Sequence, residues 1–286
     1  MTMDLTKTHV VSFSGGRTSA YLVHLMEFYR KYCGVDVRYI FMDTGAEHPK
    51  TYAFIRNLVK HWGIPLVCLR TVVHPERGKG STHKVVSVDD IGTDLQPWSD
   101  MLVKYGAPYA VGAMCTARMK TDPFNSYCKD VMPAEYITWL GIREDEPRRL
   151  KRREGFAFLA DISDFEKQDV LDWWKTQPFD LGIEEHLGNC VFCIKKSNLK
   201  LALASREEPE MYDQFVALTE GDTVRTTGRM HNHQRMYRKS LHLTDITKIH
   251  SADSVADIRS RLRHTRSSDT GSCTESCEVF NLDDTP

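Results

Sequence analysis

The sequence predicts an α/β fold in which a parallel sheet carries helices on both faces. Two observations predict it. Between residues 9 and 69, short apolar stretches typical of buried strands alternate with amphipathic stretches typical of helices. The first two strands end in the polar turns Ser14-Gly15-Gly16 and Asp43-Thr44-Gly45. Turns that follow parallel strands lie at one edge of the sheet, where such sheets bind their ligands.

The first strand, turn and helix form the unit that is most indicative of function. The apolar run 9–13 meets Ser14-Gly15-Gly16, and a helical pattern follows from Tyr21. Glycine permits a sharp bend and a close approach of the backbone to a ligand. Thr18 and Ser19 suit the start of a helix, whose unpaired N–H groups attract anions. The segment therefore predicts a phosphate site, with a plain strand-to-helix turn as the alternative.

The following elements continue the alternation. The run 37–42 predicts a second strand, Pro49 suits the first turn of a helix that extends to Trp62, and 64–69 predicts a third strand. Glycines and prolines interrupt residues 71–112. This stretch predicts a long excursion over the ligand-binding edge, either a lid or a surface insertion without a role.

The rest of the chain is divided into a core part and an extension. The patterns predict a helical segment at 114–129, strands at 136–142 and 156–160, a helix at 170–174 and a cysteine-bearing knuckle at 188–193. From about residue 205 the pattern is helical. We therefore predict a nucleotide-binding domain at 1–204, including the lid-like insertion and the knuckle, and a mostly helical extension at 205–286 with a mobile C-terminal tail.

The composition narrows the functional class. The 286 residues carry a net charge of −1, so no global basic field recruits nucleic acid. Without a long apolar run or a signal-peptide pattern, the chain is expected to be cytoplasmic and not membrane-bound. Its eight cysteines are then expected to be thiols, metal ligands or redox groups. Cys33 and Cys68 lie in apolar patterns and are predicted to be buried packing residues.

Five short segments follow one another between residues 10 and 200. They are Ser14–Ser19; Phe41–Gly45 with Pro49–Tyr52; Cys115–Phe124; Leu140–Arg143 with Arg148; and Cys190-x-x-Cys193. In this order they resemble the motifs of the phosphoadenosine phosphosulfate (PAPS) reductase family of PP-loop proteins, whose relatives include adenosine phosphosulfate (APS) reductases, ATP pyrophosphatases and thiolation enzymes. The resemblance implies a Rossmann-like PP-loop fold of the adenine nucleotide alpha hydrolase type.

The resemblance also implies a site for an adenine nucleotide, either ATP or APS or PAPS. The residues expected to bind it are Ser14, Gly15, Gly16, Arg17, Thr18, Ser19, Asp43, Thr44, Gly45 and Arg148. Lys120 and Arg143 are expected to act in catalysis by neutralising phosphate or sulfate charge. Asp43 is expected to hold ribose or Mg²⁺, or else to cap its own turn. For Arg148 a solvated surface charge is the alternative.

One position departs from the motif of the enzymes that cleave ATP. Those relatives carry an aspartate where this chain has Thr18. The change weakens the prediction of metal-assisted cleavage, although Asp43 or Glu47 could supply a carboxylate for Mg²⁺.

The cysteine pattern predicts a cofactor. APS reductases hold a [4Fe–4S] cluster with a Cys-Cys pair and a later Cys-x-x-Cys, and here Met114 replaces one of these four cysteines. Cys115, Cys190 and Cys193 would then hold the cluster, as in related thiolation enzymes with three-cysteine clusters. Cys128, His186, Cys273 and Cys277 are the candidates for a fourth ligand. A zinc site that includes His186 is one alternative, and metal-free thiols are another.

The tail carries a further candidate, Cys277, which faintly resembles the nucleophilic tail cysteine of PAPS and APS reductases. The acidic residues beside it oppose thiolate formation. A nucleophile, a redox or persulfide relay and no role at all are the three hypotheses for Cys273 and Cys277.

These features predict an enzyme that cleaves ATP between the α and β phosphates and inserts sulfur into an acceptor. The expected partners are a tRNA or DNA acceptor and a sulfur donor or thiol reductant protein. One alternative is a thiol-dependent APS or PAPS reductase that releases sulfite, and another is a nucleotide sensor without catalysis. The oligomeric state is not predicted.

Overall fold

A computed structural model describes residues 3–76, 78–109, 113–226 and 236–264. Its sheet has the order β4-β3-β2-β1-β5-β6. The strands are β1 Thr8–Phe13, β2 Val37–Met42, β3 Leu66–Val73, β4 Ser81–Val86, β5 Tyr136–Leu140 and β6 Phe156–Phe158. All neighbours pair in parallel except β3 and β4, which pair antiparallel.

The helices connect these strands and then form the C-terminal part. They are α1 Arg17–Tyr32, α2 Pro49–Trp62, α3 Gln96–Tyr105, α4 Met114–Thr116, α5 Asp122–Val131, α6 Lys167–Lys175, α7 Asn198–Glu207, α8 Pro209–Thr219, α9 Leu243–Ile249 and α10 Val255–His264. A π-helical turn, Ala117–Thr121, joins α4 to α5. None of the helices that the structure describes has the length and apolar composition needed to cross a membrane.

Strand β1 is the centre of the fold, and all six of its residues are buried. Val10 packs in a small cluster with Phe124 and Cys128 of α5, whereas Val11 packs in the main core with residues of α1 and α2. Because successive side chains of a strand point to opposite faces, helices cover both faces of the sheet. The predicted α/β Rossmann-like fold with a helical C-terminal part is confirmed.

The strand order creates a switch point at the centre of the sheet. The chain runs outward from β1 through β2 to β3, and later crosses to β5 on the other side of β1. Ser12 lies opposite Leu140, and Phe13 lies opposite Phe41, so the turns after β1, β2 and β5 meet at one edge. A ligand crevice is expected at such a point, where neighbouring crossovers diverge.

Two regions differ from expectation. The excursion 71–112 contains a regular strand, β4, and a regular helix, α3. β4 is regular because it pairs antiparallel with β3, and this pairing cannot be recognised from the residues of β4 alone. The strand expected at 156–160 ends at Phe158 and continues as a short 3-10 turn. The boundary after residue 204 falls inside α7, and the division into two domains stays a prediction.

Candidate functional site

The glycine-bearing turn after β1 forms an open loop at the switch point. Gly15 has a φ of +82°, which a residue with a side chain adopts only with strain. A Cβ atom on Gly15 would lie 3.1 Å from Thr51 and 3.3 Å from both Ile55 and Phe41. Glycine is therefore required here by the backbone conformation and by the packing of α2 and β2 against the loop.

Hydrogen bonds within the loop and with the segment that includes and follows α6 hold the loop in place. The Ser14 hydroxyl donates to Ser19 Oγ at 2.8 Å, and Ser19 Oγ donates to the Gly16 carbonyl at 3.0 Å. The Arg17 guanidinium pairs with both carboxylate oxygens of Asp180, each at 2.7 Å. Trp174 Nε1 donates to the Arg17 carbonyl at 3.0 Å. Arg17 thus anchors the loop to the segment after α6, and its charge is already balanced by Asp180.

A small pocket lies against this loop, and we name it the phosphate pocket after the ligand that the sequence predicts for the loop. Its lining residues are Ser14, Gly15, Gly16, Arg17, Thr51, Leu181, Ile183, Glu184, Glu185, Gly188 and Asn189. The Thr51 hydroxyl is buried and has no hydrogen-bond partner among the described residues. A buried hydroxyl without a partner lowers the stability of the fold, and a bound phosphate oxygen would accept a hydrogen bond from it. Thr51 lies in the second motif, but no sequence signal indicated that its side chain belongs to this pocket.

Strand β5 approaches the loop closely, and this contact brings Arg143 to it. A Cβ on Gly141 would lie 2.9 Å from the Cα of Ser19, a distance that real Cβ atoms essentially never show. Two residues further on, Arg143 Nη1 donates to Thr18 Oγ1 at 2.9 Å, and Arg143 Nε donates to Asp145 at 2.7 Å. The Arg143 side chain is only 6% exposed, so it is held rigidly beside the loop.

Arg148 and Lys120 lie in different surroundings. Arg148 is exposed on the segment after β5. Lys120 is buried in the π-helical turn and lines the pocket that contains the cysteines, described below, and not the phosphate pocket. The roles predicted for both residues toward the nucleotide stay predictions.

Asp43, at the end of β2, is fully buried, and both its oxygens accept hydrogen bonds. Oδ1 accepts from Gly45 N and from the Tyr52 hydroxyl, each at 2.9 Å, and Oδ2 accepts from Arg70 Nε at 2.6 Å. The same Tyr52 hydroxyl lies 2.8 Å from Glu47 Oε2. These contacts are those of a residue that caps its own turn, which was the alternative predicted for Asp43. The role of Asp43 as a ribose or Mg²⁺ ligand stays a prediction.

The burial of Asp43 gives the stability of the protein a pH dependence. Burial, and secondly the nearby Glu47 carboxylate, raise the pKa of Asp43 from 3.8 to about 6. Between these two values the folded protein retains a proton that the unfolded chain has released. This group therefore makes the free energy of unfolding fall as the pH rises through that window.

We expect Asp43→Asn to remove that part of the pH dependence. In urea unfolding at about pH 4.5 and about pH 7, the wild type should lose more stability with rising pH than the variant does. Asp94→Asn is the control, because it removes a half-exposed partner of the same Arg70. Equal pH slopes for the wild type and Asp43→Asn would contradict the assignment.

Three cysteines from two distant segments line a second pocket, the thiol pocket. Its lining residues are Thr44, Trp98, Ala113, Cys115, Thr116, Met119, Lys120, Cys190, Cys193, Ile194 and Lys195. A β-bridge between Glu47 and Cys190, and a hydrogen bond of 3.0 Å from Val191 N to the Ala46 carbonyl, fasten the knuckle to the turn after β2. Thr44 Oγ1 lies 3.3 Å from Cys190 Sγ. The predicted proximity of Cys115 to the Cys-x-x-Cys knuckle is thus present.

The zinc alternative depends on His186, whose surroundings the structure describes. Among the described residues, no group of three histidine, cysteine, aspartate or glutamate side chains is placed to hold one metal ion. His186 faces other groups, because Nε2 lies 2.5 Å from Glu207 Oε2 and Nδ1 lies 3.7 Å from Glu184 Oε2. His186 is thus paired with glutamates, and the Cys₃His zinc site stays a prediction.

The remaining cysteines lie elsewhere. Cys68 is buried as predicted, and Cys128 is buried in the small core cluster and not in the thiol pocket. Burial raises the pKa of both thiols, to about 12 and about 11. The prediction for Cys33 is wrong, because this residue follows the last turn of α1 and is exposed. Cys273 and Cys277 lie outside the described residues.

The comparison with known proteins agrees with this geometry. Residues 8–177, more than half of the chain, match the family described as the phosphoadenosine phosphosulfate reductase domain. The chain belongs to this family. This family belongs to the PP-loop superfamily, and the loop at 14–19 lies within the matched residues. The sheet, the helices on its two faces and the loop all fall within the matched residues.

Two relatives are uncharacterized proteins. An uncharacterized nin region protein of Escherichia phage lambda is 49% identical over 276 residues, which cover 95% of this chain and 95% of the relative. An uncharacterized protein of Methanocaldococcus jannaschii is 25% identical over 151 residues, which cover 52% of this chain and 26% of that protein. The similarity to the phage protein therefore extends through the C-terminal helices, beyond the family domain.

Proposed function

We propose that this chain is a PP-loop enzyme that binds an adenine nucleotide at residues 14–19 and couples adenylyl transfer to sulfur transfer. One observation carries the proposal: a single segment, 188–193, forms a wall of both pockets. Gly188 and Asn189 line the phosphate pocket, and Cys190 and Cys193 line the thiol pocket. A nucleotide bound at the loop would therefore lie next to a set of thiols.

The loop and Arg143 supply what adenylyl transfer needs. An acceptor oxygen attacks the α-phosphorus of ATP, the bond to the β-phosphate oxygen breaks, and pyrophosphate leaves with its negative charge. Backbone N–H groups at the start of α1 bind that charge, and Arg143, fixed by Asp145 and Thr18, adds a guanidinium beside it. A sulfur nucleophile then displaces AMP from the adenylated acceptor. We place a tRNA or DNA base in the role of acceptor.

The donor set of the thiol pocket fits a [4Fe–4S] cluster. No histidine or carboxylate is found among the described residues that line the pocket, and thiolates are the ligands that such clusters prefer. In a cluster each iron takes one thiolate, so the sulfurs need not converge on one ion. Cys115, Cys190 and Cys193 would hold it, and when bound it would supply an iron without a protein thiolate, at which sulfide from a donor protein can bind.

The nucleotide part of the proposal is tested by calorimetry with ATP, APS and PAPS, followed by assays of pyrophosphate and sulfite. We expect ATP to bind and pyrophosphate to be released when tRNA or DNA is present. Release of sulfite from APS or PAPS would instead support the reductase alternative. Binding without any release, with every acceptor tried, would make the protein a sensor.

The sulfur part is tested by Cys190→Ser. We expect this variant to release pyrophosphate at a rate close to that of the wild type and to insert no sulfur into the acceptor, as measured by mass spectrometry of the product. Cys33→Ser is the control, because Cys33 is exposed and does not line the pocket. Normal sulfur insertion by Cys190→Ser would overturn the role of the thiol pocket.

A further inference from the structure

One lining residue of the thiol pocket carries a buried donor that the proposed chemistry has not used. Trp98, on the first turn of α3, lines the pocket and is 1% exposed. Its indole Nε1–H has no hydrogen-bond acceptor among the described residues. An unsatisfied buried donor is destabilising, so its presence in a folded protein calls for a structural or functional explanation.

The position of Trp98 is fixed from two sides. Its ring packs edge-on against Phe215 of α8, with centroids 5.2 Å apart. The start of α3 is fastened to the turn after β2, because Leu95 N donates to the Gly45 carbonyl at 3.0 Å. Leu95 itself has a φ of +56°, a strained conformation for leucine. The fold therefore accepts strain at the residue that begins the helix carrying Trp98.

The chemistry of the pocket indicates which acceptor is missing. Besides the three cysteines, the polar residues Thr44, Thr116 and Trp98 line the pocket. The other lining residues are apolar or cationic. The Thr44 hydroxyl lies 2.9 Å from both oxygens of Glu47 as well as beside Cys190 Sγ. A carboxylate is a stronger hydrogen-bond acceptor than a thiol, so the Thr44 hydroxyl donates to Glu47. Thr44 therefore does not serve as a donor to the pocket. The indole N–H is then an unsatisfied donor, among the described residues, on a side chain that lines the same pocket as the three cysteines.

We propose that Trp98 is a positioning residue whose indole N–H donates to anionic sulfur bound in the thiol pocket. The sulfur is either the sulfide of a cluster held by Cys115, Cys190 and Cys193 or the terminal sulfur of a persulfide on one of them. Hydrogen bonds to sulfur stabilise its negative charge and tune the properties of such sites. This inference rests on the sulfur part of the proposed function and assigns a role to a residue outside the family motifs.

The experiment compares Trp98→Phe with the wild type, using Trp62→Phe as the matched control. Phenylalanine keeps an aromatic ring against Phe215 but removes the donor and part of the ring volume. Trp62→Phe removes the same groups from a ring that packs beside Trp173 and Trp174, away from the pocket. Thermal unfolding of the unloaded proteins establishes that each variant folds. In one arm the proteins are titrated anaerobically with sulfide and an equal mixture of ferrous and ferric iron, which supplies the average oxidation state of a [4Fe–4S]²⁺ cluster. In the other arm polysulfide transfers one sulfur to a thiolate, leaving a protein persulfide and a polysulfide that is one sulfur shorter.

The readouts are the rise in unfolding temperature on loading, the retention of sulfur after gel filtration and, for a cluster, the reduction potential. We expect Trp98→Phe to show a smaller rise than the wild type, to lose the bound sulfur about tenfold faster and to have a more negative reduction potential, because loss of a donor disfavours the more negative reduced state. The arm in which these differences appear identifies the source of the sulfur. Trp62→Phe should match the wild type.

Equal loading, retention and potential in the wild type and Trp98→Phe would overturn this role and leave the proposed function intact. A wild-type protein that takes up neither a cluster nor a persulfide would overturn both this role and the sulfur part of the proposed function. Nucleotide binding at residues 14–19 would then still be judged by calorimetry alone.

Discussion

Gly141→Ala should lower the affinity for an adenine nucleotide at least tenfold and destabilise the fold by about 1–3 kcal/mol. The added Cβ would meet the backbone of Ser19 at 2.9 Å, and backbone cannot move aside as a flexible side chain can. The end of β5 and the start of α1 must therefore separate. This separation displaces the loop at residues 14–19 on one side of the contact and Arg143 on the other.

The control for this substitution is Gly80→Ala, in the turn between β3 and β4. A Cβ there meets no atom within 4 Å, and the φ of Gly80 does not lie in the left-handed region. We expect its unfolding free energy to stay within about 0.5 kcal/mol of the wild type and its nucleotide affinity to be unchanged. Calorimetry and urea unfolding measure both quantities. Wild-type affinity in Gly141→Ala would show that the loop does not bind the nucleotide.

Arg143→Met should weaken nucleotide binding by about tenfold to a hundredfold, which corresponds to the loss of one charge-assisted hydrogen bond. Methionine fills much of the same space and removes the charge and the contact with Thr18. The Asp145 side chain that pairs with Arg143 is 27% exposed, so water can solvate it in the variant and the fold should be retained.

Arg152→Met is the matched control for charge. Arg152 lies nine residues further along the same segment, pairs with Asp161 and has a side chain that is 60% exposed. Its loss changes the net charge equally without touching the loop, so nucleotide affinity should remain near the wild-type value. If the two variants bound the nucleotide equally well, Arg143 would have no part in the site. Raising the salt concentration should reduce the difference between them only slightly, because Arg143 is buried and poorly screened.

Local sequence patterns were sufficient for most of the fold. The alternation in residues 9–69 predicted β1, α1, β2, α2 and β3, because each of these elements has a periodicity that is complete within its own length. They did not predict β4, whose alternation is weak and whose regular structure depends on pairing with β3. Cys33 shows the same limit: an apolar neighbourhood in sequence did not place it inside the core.

The candidate site divides in the same way. The phosphate loop was predictable because a bend with two glycines followed by a helix is a local feature. The partner of His186 was not, since Glu207 lies on α7 and meets His186 only because α7 packs against the short turn 185–187. Trp98 gave no signal at all, because it lies in a stretch whose glycines and prolines masked the helix that positions it.

By itself the sequence determined the α/β class, the family and the loop that is proposed to bind phosphate, because these depend on residues adjacent in the chain. Only the tertiary structure decided which polar residues meet. It placed Cys115 in one pocket with Cys190 and Cys193, joined Arg143 to Thr18, and left Trp98, which lines that pocket, with an N–H that has no partner among the described residues. Periodicity identifies the face of an element that is buried, whereas the packing of distant elements selects the side chain that each buried group will contact.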